Sequence, residues 1–350
     1  MKKIFLSLLL LLASTGAIFA QSSLLATLSH EGEISVFYGP NAFKEAHSAA
    51  QHGDAITLSS GSFNAVDITK AITLRGAGIV VDVVKNIYPT IISGDFRIAI
   101  ENSVEHNLTI EGIFNNFKIE INKDLNNVTF IKNRFKEIIY RGSSLSYKNN
   151  RFIHCKISQR LSAISNSGSN SLSFTNCYIA HLDNYDCPTM LQNSIIGSVD
   201  GSSIVSYKYC TFYNCIIIGG NPPYVSYNVF DASNTIYNSI TTLITQDNLI
   251  GHMDYTYKNV INYNNYIIQN IDNVFKTFKA NNYSEEETFE LIDDVKNKYF
   301  GTDGTQVGIY GGALPYSPVT TNPQITKCNV ASRSTADGKL SVDIEVKAGE

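Results

Sequence analysis

The sequence predicts an all-β chain wound as a parallel solenoid, and three observations carry that prediction. A phrase alternating apolar and small polar residues recurs at steps of 16 to 27 residues: Leu108-Thr109-Ile110, Val128-Thr129-Phe130, Leu145-Ser146-Tyr147, Leu172-Ser173-Phe174, Thr189-Met190-Leu191, Val205-Ser206-Tyr207 and Val225-Ser226-Tyr227. A period of two is that of a strand with one buried face, and units this short bury that face only by stacking. Asparagine follows the strands in Asn133-Arg134-Phe135, Asn150-Arg151-Phe152, Asn176-Cys177-Tyr178 and Asn193-Ser194-Ile195. It tolerates the left-handed backbone that a sharp bend requires, and stacked copies can hydrogen-bond as a ladder. The third observation is composition: 43% hydrophobic, 17% charged, 35 Asn among 350 residues, 8 Pro and no Trp, which supports a long core rather than disorder.

In chain order, residues 1–20 read as an export signal. Lys2 and Lys3 form the basic region, Ile4 to Leu12 the apolar run, and Ala17-Ile18-Phe19-Ala20 a small-residue site before Gln21. The run is shorter than the roughly 20 residues of a membrane span, so the mature chain is expected to be exported, periplasmic or extracellular, with no membrane span. The formal charge of −4 becomes −6 without Lys2 and Lys3, which argues against nucleic acid or an anionic membrane surface as partner. Asn41 to Ala50 places Phe43, Ala46 and Ala50 on one face of a helix. Gly53-Asp54-Ala55-Ile56-Thr57-Leu58 and Gly61-Ser62-Phe63 then open the strands, and Ala71-Ile72-Thr73-Leu74-Arg75-Gly76-Ala77-Gly78 closes the next coil.

Further on, Ser284-Glu285-Glu286-Glu287 forms a capping box, yet residues 288–292 alternate, so a strand there followed by a short helical turn is predicted. Phe300 to Gly312 resembles the closing coil of exported β-helix proteins. The division predicted is a signal at 1–20, a solenoid at 21–318 and a β appendage at 319–350. In that appendage Leu340, Val342, Ile344 and Val346 alternate with polar residues, and the Asp337-Gly338 turn joins them to Ile325–Val330 as a hairpin with one buried face. Six cysteines match no zinc spacing and are expected mainly as small core residues.

The helix, the Gly-Asp turn and strand, the Gly-x-Phe step and the Gly-rich bend resemble the opening of the right-handed parallel β-helix, or pectin-lyase-like, superfamily of secreted proteins. The resemblance covers roughly residues 35 to 315. It implies right-handed winding, about ten coils, a helix closing the open N-terminal end, and a polysaccharide or cell-surface glycan as partner. Enzymes of that superfamily present carboxylate clusters for calcium or for acid–base work, which leaves room for calcium. Asp293-Asp294 lie near the exit, Asp183, Asp186 and Asp200 with His181 are irregularly spaced, and His252 lacks the Asp-Asp and Arg-x-Lys elements of a polygalacturonase.

If coils are 17 residues long, as the second and third phrases suggest, Arg134 stacks beside Arg151 and Glu137 beside His154. Two arginines on adjacent rungs can hold a uronate or sulfate, and His154, Lys132 or Lys136 could withdraw the proton alpha to a carboxylate. The candidate site is therefore Arg134, Arg151 and His154. A second candidate surface is the cluster Tyr224, Tyr227, Tyr237, Tyr255, Tyr257, Tyr263 and Tyr266, which could stack on sugar rings. No phosphate loop, nucleophile elbow or His-Glu-x-x-His occurs, and no cofactor is predicted. Two readings stand: a glycan-binding or surface-interaction protein, and a polysaccharide lyase or glycoside hydrolase acting on an acidic polysaccharide.

Overall fold

The structure is a computed structural model that describes residues 24–81, 88–101, 105–142, 144–164, 170–185, 187–197 and discontinuous stretches of 205–347. The predicted signal lies outside the described residues, as do Tyr224, Tyr227, Tyr255, Tyr257, Asp186, Asp200 and His252. The phrases at 108–110, 128–130, 172–174 and 189–191 fall on strands of one sheet, that at 205–207 pairs with 228–230 in a separate two-stranded sheet, that at 145–147 forms no strand, and 225–227 lies outside the described residues; the chain winds as a parallel β-solenoid. Ten parallel strands stack in the first sheet among the described residues, and the strands of the C-terminal coils shrink to two or three residues.

Two parallel sheets face each other across the core. The first runs through Ala55–Leu58, Thr73–Arg75, Thr109–Glu111, Thr129–Ile131, Asn150–Ile153, Leu172–Thr175, Thr189–Gln192 and Cys210–Tyr213. The second runs through Gly61–Asn64, Thr90–Ser93, Ile113–Ile121, Arg134–Tyr140, Lys156–Ile164 and Tyr178–Ile179, then on through shorter strands. Two antiparallel strands, β1 (Leu25–His30) and β2 (Glu33–Tyr38), extend the first sheet at its N-terminal edge.

The bend from first sheet to second has one residue at positive φ on each coil: Gly112 (66°), Lys132 (52°), His154 (54°), Asn176 (51°), Asn193 (47°) and Asn214 (52°). Asparagine was the right residue to look for, but Lys132 and His154 take the same conformation. At the bend into the first sheet, Asn149 Nδ2 donates to Asn127 Oδ1 at 3.0 Å, a polar ladder between coils. Inside the corner, Asn133 Nδ2 donates to Ile110 O at 2.7 Å and its Oδ1 accepts from Ile113 N at 2.9 Å. Cys155, Cys177, Ser194 and Cys215 continue that column. Each thiol donates to a carbonyl of the preceding coil, Cys155 to Phe130 O at 3.4 Å and Cys177 to Phe152 O at 3.3 Å. Four cysteines are thus buried, reduced core residues, and burial pushes the Cys187 and Cys215 thiols up to about 12.

The register corrects the expected 17-residue coil. Arg151 pairs with Thr129, 22 residues back, and among the described residues 17 separate stacked partners only on the step from the coil of residues 172–179 to that of residues 189–196. Asn133-Arg134-Phe135 and Asn150-Arg151-Phe152 consequently sit on different sheets. Phe152 stacks between Phe130 and Phe174 in the first sheet, with centroids 4.6 Å apart on each side, while Phe135 meets Phe130 edge-on from the second at 5.8 Å.

The eight-residue helix α1 (Ala42–Ala49) buries Ala42, Phe43 and Ala46 completely, as its apolar spacing requires, and packs against β1 and β2. It also buries His47, whose Nε2 accepts the Thr69 N–H at 3.3 Å. Burial, and then Lys70, push His47 down to about 4, with Asp67 opposing. A depressed folded pKa means that the unfolded chain takes up the proton first. The stabilisation is complete above the ordinary imidazole value and is lost as pH falls from there toward 4, on the order of 3 kcal/mol at full protonation. Chemical unfolding of the wild type and of His47→Gln at neutral pH and at pH about 5 should show a steeper acid loss in the wild type. Equal slopes would refute it.

Two expected elements differ. Residues 288–292 hold a single antiparallel bridge, Phe275 to Leu291, followed by the helical turn Asp293–Lys296. Phe289 at φ 59° turns the chain out of a strand. The predicted hairpin is present, Gln324–Val330 against Val342–Lys347, but every residue of its second strand is exposed rather than half buried. Among the described residues no helix is long and apolar enough to cross a membrane.

Candidate functional site

Instead of adding another coil, residues 300–321 run back along the bend between the sheets, toward the N-terminal coils. Gly308 N donates to Asn214 O at 2.8 Å. Asn176 Nδ2 donates to Ile309 O at 2.8 Å and to Gly311 O at 2.7 Å. His154 Nε2 meets Leu314 O at 3.0 Å. At the far end, Glu111 Oε1 accepts from Thr321 N at 2.9 Å and from Thr321 Oγ1 at 2.5 Å. Gly112 is glycine for two reasons: its φ is positive, and a Cβ there would come within 2.4 Å of the Thr320 methyl.

This strap covers the outer face of the second sheet. Along that face the register stacks Phe114, Arg134, Lys156, Tyr178, Ile195 and Ile216. The last three are apolar and buried beneath Phe275, Phe278, Phe289, Val307 and Ile309 as a second core. Where the column changes from apolar to cationic the cover lifts away and leaves a cavity of about 250 Å³. Arg134, Lys156, Tyr178, Phe289, Tyr310 and Tyr316 line it, with Ile79 to Val81 and Pro318 at its edge.

Both cations are more than nine-tenths buried. The Arg134 guanidinium lies 4.6 Å from the Phe114 ring centroid, and the Lys156 ammonium 5.7 Å from that of Phe289. Lys156 Nζ donates to Glu287 O at 3.2 Å. As parallel register partners, Arg134 and Lys156 stand about 4.8 Å apart at the backbone. The Glu287 carboxylate turns to its own backbone, where Oε1 accepts from Thr277 Oγ1 and from the N–H groups of Thr288 and Phe289. Tyr310 donates its hydroxyl to Thr288 O at 2.8 Å. Burial raises the Tyr310 phenol, with Glu290 and Glu287 adding to it, and raises Tyr316 as well. Both phenols are therefore neutral donors around a positive floor.

The predicted trio is not assembled in one place. Arg134 lines this cavity. Arg151 is exposed on the first sheet between Thr129 and Ser173, donates to Thr129 Oγ1 at 3.2 Å, and borders a shallow groove of about 490 Å³ with Asn149, Ser171, Thr189 and Met190. His154 sits at the bend beneath the strap, 7% exposed, with Tyr316 at 6.0 Å. Burial lowers its pKa first; the bond to Leu314 raises it and Lys132 lowers it again. Glu137 stands in strand register with Arg160 and Lys118, not beside His154. Asp183 is held by Arg160 at 2.6 Å. Among the described residues, no three His, Cys, Asp or Glu side chains gather to hold calcium or another metal ion.

Lys156, Tyr178, Phe289, Tyr310 and Tyr316 escaped sequence reasoning. The available signal was the outward column: a solvent-facing position that turns to Tyr178, Ile195 and Ile216 announces a cover. Compared with family models, with curated proteins and with solved structures, the chain matches none.

Proposed function

We propose that this protein is an exported right-handed parallel β-helix, closed at its N-terminal end by α1, that binds an acidic glycan in the cavity between the second sheet and the strap. The observation that carries this reading is the buried pair Arg134 and Lys156 at the floor of an aromatic cavity of about 250 Å³. A guanidinium grips a carboxylate or sulfate through two parallel N–H donors, and an ammonium adds a point charge. Tyrosine and phenylalanine rings offer faces to the C–H side of a sugar, and the volume suits one ring of a longer chain. Binding is favoured over the lyase or hydrolase alternative because cleavage needs a positioned acid or base, and the carboxylate at the rim, Glu287, is engaged with its own loop. Release into the periplasm or the medium follows from the signal at residues 1–20.

Affinity electrophoresis of the mature protein through uronate-containing, sulfated and neutral polysaccharides tests the reading. Retardation by an acidic polymer is expected, with a loss of roughly ten- to a hundredfold in affinity for Arg134→Gln and for Lys156→Gln, the range for a charge-assisted hydrogen bond. Arg151→Gln, on the other sheet, should migrate as wild type. If Arg134→Gln and Lys156→Gln keep the fold by circular dichroism and are retarded as strongly as wild type, the cavity is not the site. New unsaturated or reducing ends would replace binding with cleavage.

A further inference from the structure

Of the fifteen large apolar side chains exposed among the described residues, seven lie at two strands. Ile34, Val36 and Tyr38 alternate along β2, 70%, 42% and 64% exposed, and Leu340, Val342, Ile344 and Val346 line the second hairpin strand at 50 to 55%. Solitary exposed apolar residues are ordinary, but two alternating stripes are not, and a two-stranded hairpin without a packed face is marginal in water. β2 is also the terminal strand of the first sheet, where an uncovered edge invites pairing.

We infer that the hairpin stripe of one copy of this chain packs on the β2 stripe of a second copy, and reciprocally. The strap supplies the geometric reason. It carries the chain from the last coils back to Glu111, so the hairpin departs beside Thr109–Glu111. That strand is four steps from β2 in the sheet order, about 19 Å at 4.8 Å per step. Both patches therefore lie toward the same end of the solenoid. A twofold axis there satisfies both contacts at once and closes the assembly, whereas patches at opposite ends would build an open filament.

Charge agrees with this pairing. Glu31 and Glu33 are exposed at the start of β2, and Lys339 and Lys347 bracket the hairpin stripe. Laid along β2 in either direction, the stripe brings one lysine to the glutamates. Lys339 also pairs with Asp337 at 3.0 Å, both exposed. The glycan cavity has no part in the contact.

Sedimentation velocity on the full mature chain tests the proposal. A dimer at micromolar concentration is expected, becoming monomeric in Val342→Asp/Ile344→Asp and equally in Ile34→Asp/Val36→Asp, each with wild-type circular dichroism. Mixing the two double variants should restore a weaker dimer, because one intact hairpin then meets one intact β2. A monomeric wild type would overturn the proposal. So would a dimer that survives the β2 substitutions, which would point to hairpins meeting each other, and so would a mixture that stays monomeric.

Discussion

Replacing Phe152 with alanine is expected to destabilise the protein by about 3–5 kcal/mol, the range for removing a large aromatic side chain from a packed core. Its ring is fully buried and stacks on Phe130 and Phe174, with centroids 4.6 Å away and planes within 11° and 13° of parallel. The loss combines transfer of the ring, two aromatic contacts and a cavity that neighbouring coils cannot collapse into, because the hydrogen-bonded ladders on both sides hold coil spacing near 4.8 Å. Urea unfolding followed by circular dichroism measures it. Phe117→Ala, at a position 42% exposed, is the control and should cost less than about 0.5 kcal/mol. A Phe152→Ala loss below about 1 kcal/mol would mean that the rings do not form a continuous column.

Asn176→Ala is expected to cost about 4 kcal/mol, from two causes that can be separated. The backbone there has φ 51°, and an alanine held in that region costs about 1–2 kcal/mol. The remainder comes from Ile309 O and Gly311 O, which lose their buried donor at about 1–3 kcal/mol each. Asn176→Gly accepts the backbone angle and loses only the tether, so it should be less destabilised than alanine. Both variants should expose residues 305–316 to limited proteolysis while the coils stay protected, since the strap opens before the solenoid does. Equal losses in the two variants, or unchanged protection of the strap, would contradict this account.

Much of the solenoid was legible because period-two alternation is local. Phe130, Phe152 and Phe174 declare a buried face within their own strands, and Asn176, Asn193 and Asn214 mark bends by a backbone preference of their own. The face of α1 could be read in the same way from Phe43 and Ala46. Register could not. Alternation states which side of a strand is buried and is silent on which coil lies above it or which of two sheets the strand joins. That is how two Asn-Arg-Phe tripeptides came to be stacked in expectation when the chain puts them on separate sheets.

The candidate site suffered most from that gap, since a site is a statement about neighbours. Arg134 lines the cavity, but its register partner is Lys156, 22 residues on, and the aromatic walls come from Phe289, Tyr310 and Tyr316. The bond from Glu111 to Thr321 spans 210 residues and the one from His154 to Leu314 spans 160. No local pattern encodes separations of that size. The amino-acid order by itself determined most of the strands, the bends, the first helix, and the C-terminal hairpin with its apolar stripe. Only the tertiary structure decided the stacking register, the return of the strap and the cavity between them, because each depends on energies shared between segments that meet only after the chain has wound.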